Sequence, residues 1–422
     1  MRRSLILTVL AAALAAPASA AAAPGIKYGI QDDAWLHSTP LESRLKTLDL
    51  LGPDVVRFTL RWDQVARKKP ARATNPNDKA YDWRGSDAIL RGLRQHHVAV
   101  LVTLLGSPRW ANGHRAPNAV PRSKWTFASF AVAAAKRYPW IRMWEIWNEP
   151  NLRTFLRPSS PRLYVQRLLN PAVAALHRVR RGMRVAGGAT SPRRTPSGMA
   201  PIQFMRGMRA ARARFDVYSH HPYPVSRLET PSSANCRYCT GILTMARLSD
   251  LLREVRRDFG GRHIWLTEYG YQTNPPDRYL GVSRELQAKY LAQAAYLARK
   301  APRVDVLIHF LVKDERTRGR WQSGLMTARG FQKPSFWSFA IPLLQLSRQG
   351  SRTVLWGQVR SGQGRQRYVL QRVVGGRWHT VGGSRLTSSR GYFQRVVSAA
   401  PGTQFRVRNV SDRAGSLRLR VR

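Results

Sequence analysis

Two glutamates stand out in a chain of 422 residues that carries only 23 acidic side chains. Glu149 lies in Trp144-Glu145-Ile146-Trp147-Asn148-Glu149-Pro150-Asn151, and Glu268 in Ile264-Trp265-Leu266-Thr267-Glu268-Tyr269-Gly270. Each follows a short apolar run and each sits among aromatic residues. A pair of carboxyl groups facing one mouth can cleave an acetal C–O bond. One protonates the leaving oxygen, and the other attacks the sugar carbon or activates a water. Their surroundings must push their pKa values apart, so that one stays protonated and the other ionised. The alternative is that both are structural partners of the abundant arginines. The matched placement of the two, at run ends and beside aromatics, favours chemistry.

Further residues converge on the same places. Arg57, in Val56-Arg57-Phe58, lies on an otherwise apolar run and therefore needs a carboxylate partner. His220-His221-Pro222-Tyr223 closes another run, with His220 expected to be a packing histidine. Trp110 follows Ser107-Pro108-Arg109. Its ring offers a flat apolar face for the C–H surface of a sugar, with core packing as the alternative. Glu145 keeps the two-residue phase of Glu149 but lies about two layers deeper. It is expected to be a buried acid paired with an arginine. Asn148 and Glu149 are adjacent, and a regular strand would aim them at opposite faces. Both serve one site only if the chain bulges or turns there, and Pro150 supports that because it cannot continue a ladder. Asp314 and Glu315 are the other acids placed to enter the cleft, as substrate contacts or as solvated loop residues. Adjacent histidines rarely bind one ion and no third ligand has suitable spacing, so no metal and no cofactor is expected.

These residues need a scaffold that gathers run ends at one mouth. Eight apolar runs read as strands: Lys27–Ile30, Val55–Leu60, Val98–Leu104, Arg142–Trp147, Val185–Gly188, Phe215–Ser219, His263–Thr267 and Val304–Phe310. Helix-period segments alternate with them: Leu41–Leu51, Ser86–His96, Thr126–Arg137, Pro161–Arg180, Ile202–Ala211, Arg247–Phe259 and Ser283–Arg299. This alternation predicts an α/β fold, a (β/α)8 TIM barrel over residues 24–348, whose site lies at the C-terminal ends of the strands. An open doubly wound sheet is disfavoured, because no strand is followed by G-x-G-x-x-G. Beyond residue 348 helical periodicity stops. Short alternating segments between Gly-rich turns predict a small all-β, sandwich-like domain over 349–422.

Trp-Asn-Glu-Pro-Asn at 147–151 resembles the acid/base motif of clan A glycoside hydrolases, and Glu268 in Leu-Thr-Glu-Tyr-Gly resembles their nucleophile. The resemblance covers roughly residues 25–346 and is closest to family 39 and the cellulase-like group around family 5. It implies a retaining double displacement, with Glu268 forming a glycosyl-enzyme and Glu149 acting first as acid, then as base. It also implies that Asn148 binds the sugar 2-hydroxyl, that Arg57 holds the nucleophile ionised, and that Tyr223 of the His221-x-Tyr223 pair donates to it. Two departures stand out. The third run ends in Leu104-Leu105-Gly106, without the histidine of family 5. The eighth ends in His309-Phe310, where the clan often has a tryptophan, and Trp321 in the next loop is the candidate substitute.

Met1-Arg2-Arg3, the apolar run from Leu5 to Ala16 and Ala18-Ser19-Ala20 read as a signal peptide over 1–20, so the protein is expected to be secreted. The run is too short to span a bilayer, and no later stretch approaches that length. Cys236 and Cys239 are the only cysteines, and in an oxidising compartment they are expected to form a local disulfide. The net charge of +48 is spread along the chain, as a coding bias toward arginine would spread it. It is dense after Ser351, where an anionic polysaccharide or cell wall is a candidate contact and a domain that only caps the barrel is the alternative. Nucleic acid is not expected, because recognition motifs are absent. The expected partner is a carbohydrate substrate, cleaved by a glycoside hydrolase. The competing functions are a non-catalytic carbohydrate-binding barrel and a binder of anionic polymers.

Overall fold

The computed structural model describes residues 25–38, 40–196, 198–235, 241–317, 319–412 and 414–422. The expected signal peptide and the Cys236–Cys239 pair lie outside the described residues. Among those described, eight parallel strands close a barrel in sequence order. They are β1 (Lys27–Gln31), β2 (Val55–Arg61), β3 (Ala99–Leu105), β4 (Met143–Ile146), β5 (Arg184–Thr190), β6 (Val217–His220), β7 (His263–Tyr269) and β8 (Val304–Phe310). β1 pairs with β8 along its whole length and closes the ring. At that seam the Asp32 carboxylate accepts the backbone N–H groups of Val312 and Lys313.

The barrel is filled in layers. Val55, Leu101, Val217, Trp265 and Val306 form an apolar floor inside the ring. Two residues further along the same strands, the period of two sets Arg57, Thr103, Ser219 and Thr267 above that floor, all fully buried. Glu145 on β4 joins them. The helices bury their apolar stripes against the outside of the ring in one continuous core.

Most predicted helices fall within two residues of the observed ones. Leu41–Leu51 ends at Gly52, whose φ of 62° suits a residue without a Cβ and whose backbone lies directly against that of Arg360. The segment read as one helix over 161–180 is three pieces, with a wide π turn at Tyr164–Leu169 between Pro161–Leu163 and Asn170–Val179. Pro171 accounts for it: the ring has no N–H for the Arg167 carbonyl and crowds it, and the wide turn relieves both.

The β-domain begins earlier than the predicted boundary at 349. β9 (Leu343–Gln349) pairs antiparallel with β10 (Arg352–Gln358). Leu343-Leu344-Gln345-Leu346 does not alternate cleanly, which hides a strand in what looks like the tail of the barrel. β13 (Tyr392–Ser398), β10 and β9 make one sheet. β12 (Arg377–Leu386), β11 (Arg367–Val374), β14 (Gln404–Asn409) and β15 (Leu419–Arg420) make the other. A shared core including Leu355, Leu370, Phe393 and Phe405 lies between them. The domain packs on the barrel's first strand. Arg360 lies 4.0 Å over the Tyr28 ring, and Arg390 donates to the Gly25 carbonyl at 2.5 Å.

Candidate active site

The end of β4 is where the fold departs from regular geometry. Trp147 has φ of 72° and Glu149 φ of 38°, both in the left-handed region that side chains with a Cβ seldom adopt. Such residues cost on the order of 1–3 kcal/mol each and persist only where their surroundings hold them. The Trp147 amide donates to Leu104 O and its indole to Phe155 O, while the Glu149 amide donates to Ala189 O. From behind, the buried Tyr164 hydroxyl on the π turn donates to Ile146 O and accepts from the Gly188 amide. The turn expected between Asn148 and Glu149 is thus built from two left-handed residues, and it aims both side chains inward. On β7 the pairing with β8 slips between Leu266 and Tyr269, which frees Glu268 to face the mouth.

The two glutamates meet there. One oxygen of Glu149, one of Glu268 and a His221 ring nitrogen all lie within 4.8 Å of one another. His221 Nδ1 is 3.0 Å from Glu149 Oε1 and 3.7 Å from Glu268 Oε2. Tyr223 donates its hydroxyl to Glu268 Oε2 at 3.0 Å. Arg57 sits beneath as a fully buried hub. It donates to Glu268 Oε1 at 2.6 Å, to Glu145 Oε2 at 2.7 Å, to Asn148 Oδ1 at 2.8 Å and to Gln31 Oε1. Thr103 and Ser219 hydroxyls complete the shell of Glu145. Glu145 is therefore the buried, arginine-paired acid the phase argument expects.

The electrostatics move Glu149 and Glu145 in opposite directions. Burial pushes the Glu149 carboxyl up, the bond from His221 opposes this, the Glu268 charge adds to it, and the net is a raised pKa. For Glu145 burial is outweighed by Arg57, His221 and the two hydroxyls, so its carboxyl lies below the usual range. Burial alone would lower His221, but the charge of Glu268 and the contact with Glu149 carry it upward. Burial and the neighbouring Glu268 charge hold the Tyr223 phenol protonated, so it is a donor. The Glu149, His221 and Glu268 trio is also the one cluster among the described residues close enough to share a metal ion. Arg57 already places a fixed positive charge on Glu268, which opposes a second cation.

Other sequence candidates divide. His220 is buried, with Nε2 on Leu243 O and Nδ1 on Thr190 Oγ1, and burial pushes it down to about 3, so it is a neutral packing residue. Trp110 is half-buried and anchored by packing. Its ring stands edge-on to the buried Trp62 at 5.6 Å, and its indole donates to Ala66 O, contacts that favour the packing alternative. Trp321, the candidate substitute at the eighth strand end, stands at the mouth. It lies 4.8 Å from the Tyr223 ring and 5.4 Å from Phe310, is 37% exposed, and lines a cleft of about 180 Å³ with Glu149. Asp314 is a buried partner of Lys333 at 2.7 Å, and Glu315 accepts the Trp321 amide. Neither enters the cleft. Sequence reasoning missed Gln31, Thr103 and Ser219. Their signal is a polar residue in the inward phase of an apolar strand.

No protein-family model and no curated sequence matches this chain. Solved structures do. A family 39 glycoside hydrolase from Bacteroides cellulosilyticus WH2 aligns over 90% of this chain and 80% of its own, at 15% identity and a TM-score of 0.57. What is shared is the fold, a closed eight-stranded parallel barrel, here followed by a small antiparallel β-domain. A glucosidase from Croceicoccus marinus aligns over 89% of this chain and 93% of its own, at 14% identity and 0.58. A family 1 β-glucosidase from Thermotoga maritima aligns over 75% and 97%, at 11% identity and 0.53. At these identities the likeness is one of fold. Among the described residues no helix is long and apolar enough to cross a membrane.

Proposed function

We propose that this protein is a secreted retaining glycoside hydrolase, acting on a polysaccharide or glycoside through Glu149 and Glu268. The observation that carries this reading is the approach of the two carboxyl groups, with oxygens within 4.8 Å. Retention goes with carboxyls about 5–5.5 Å apart, whereas inversion needs about 6.5–9.5 Å to admit a water. Glu149, whose carboxyl is raised, gives its proton to the glycosidic oxygen. Glu268, its oxygens oriented by Arg57 and Tyr223, attacks the anomeric carbon and forms an ester. Esterification removes the Glu268 charge that helps raise the Glu149 carboxyl. Glu149 then accepts a proton from the water that releases the sugar. Asn148, steadied by Arg57, is assigned to the sugar 2-hydroxyl, and Trp321 to the ring face. Export and a Cys236–Cys239 disulfide belong to the same proposal.

The test is hydrolysis of activated aryl glycosides. Glu149→Ala and Glu268→Ala should each abolish turnover with the fold intact. Azide should rescue Glu268→Ala with a product of inverted configuration. Failure of azide on every substrate the wild type cleaves refutes the nucleophile assignment. A protein that retains neutral saccharides but hydrolyses none would be the non-catalytic binding barrel instead.

A further inference from the structure

The β-domain contains an arginine in a core position. Along β13 the residues Phe393, Arg395 and Val397 alternate inward and are buried, while Gln394, Val396 and Ser398 face out. Arg395 is 7% exposed. Its Nη2 donates to Val381 O at 3.1 Å, and its Nη1 is buried without a protein partner. Among the described residues no carboxylate pairs with it. Asp412 is the only acid in residues 341–422. A guanidinium held in that state is costly unless an anion completes it.

Arg395 lines a groove of about 570 Å³ between β12 and β13, the edge strands of the two sheets. Phe405 and Val397 form an apolar floor, while the exposed Arg372 and His379 add basic groups at the wall. A cation recessed beside an apolar floor selects a ligand with an oxyanion on a compact carbon body. The guanidinium fork matches carboxylate and sulfate geometry.

We propose that this groove is a binding site for an acidic sugar, a uronate or sulfated unit of a polysaccharide, seated with its oxyanion on Arg395. The anion follows from Arg395. The sugar as its carrier rests on the glycosidase reading of the barrel. The groove belongs to the β-domain and shares no residue with the cleft at Glu149.

The experiment is calorimetric titration of the full chain carrying Glu268→Gln, which stops turnover, at about 0.15 M salt, where diffuse surface attraction is screened. The probes are an oligogalacturonate, a heparin-derived tetrasaccharide and a neutral cello-oligosaccharide. One acidic probe should bind at one site per chain, and the neutral one at least tenfold more weakly. The acidic probe that binds identifies carboxylate or sulfate as the anion. Arg395→Met should weaken binding at least tenfold without lowering the melting temperature, since it removes an unpaired buried charge. His379→Glu, at an exposed position, should weaken it similarly, and it carries the test if Arg395→Met does not fold. The exposed Arg352→Gln should change binding less than twofold. Binding of neither acidic probe, or equal losses in Arg352→Gln and Arg395→Met, would overturn the proposal. Turnover of aryl glycosides by the wild type judges the barrel reading separately.

Discussion

Replacing Arg57 by methionine tests the hub beneath the two carboxyls. The guanidinium contacts Glu145, Glu268, Asn148 and Gln31 with no exposed surface of its own. Methionine fills a similar volume and leaves Glu145 and Glu268 without their cation. Breaking a buried pair costs about 3–5 kcal/mol. At roughly 2 °C per kcal/mol for a chain of this size, the melting temperature should fall by about 6–10 °C. Most of the loss should come from Glu145, which is fully buried, whereas the Glu268 side chain is 11% exposed. Glu145→Gln in the Arg57→Met background removes the stranded charge and should restore about half of the lost stability, a non-additivity that a double-mutant cycle reads directly. Activity should drop at least a hundredfold, about 2.7 kcal/mol of barrier, because Glu268 loses one of the donors that orient it. Arg57→Lys keeps the charge but not the fork and should lie between. The melts should hardly change between low and moderate salt, since a buried pair is little screened. An Arg57→Met protein as stable as the wild type, with Glu145→Gln adding its own independent loss, would refute the hub.

Other expectations follow from the same geometry. The folded Glu149 pKa is raised, so the native state binds that proton more tightly than the unfolded chain, and this stability is lost as pH rises through the folded value. Glu149→Gln should therefore melt above wild type at pH 8 and level with it below pH 4; a constant difference across that range would contradict the assignment. Tyr223→Phe deletes a donor to Glu268 and should lower kcat by about ten- to a hundredfold with little change in melting temperature, as steady-state kinetics and a melt would show. Trp110→Ala should cost about 3 kcal/mol of stability with KM unchanged, and Trp321→Ala should raise KM with stability unchanged. A raised KM in Trp110→Ala at full stability would return that ring to the sugar.

The scaffold was legible because a parallel barrel repeats one unit, a doubly buried apolar run followed by an amphipathic helix. Glu149 and Glu268 were legible because carboxylates are scarce and both follow such runs. Even the left-handed turn at Trp147 and Glu149 was foreshadowed, since two adjacent side chains could not otherwise share a face. What was hidden depends on loops and on phase. An exposed ring after β3 and a ring packed against Trp62 have the same local sequence, so the contacts of Trp110 depend on the segment after the neighbouring strand β2. Single-turn helices such as Arg109–Asn112 are too short to show a period. β9 was lost because its first four residues do not alternate.

The first strand is held by parts of the chain far downstream of it. Its partner β8 ends at residue 310, Asp32 reaches residues 312 and 313, and Arg360 and Arg390 close over Tyr28 and Gly25. At a synthesis rate of roughly 5–20 residues per second, the interval between making Tyr28 and making Arg390 is on the order of 20–70 s. Until β8 is made, the edge of β1 that faces it has no partner and the ring cannot shut. Nascent chains that stop short of Val304 should therefore be protease-sensitive throughout, including strands β1 to β7 whose own sequences are complete. Closure of the ring therefore waits for its eighth strand and joins segments far apart in the order of synthesis.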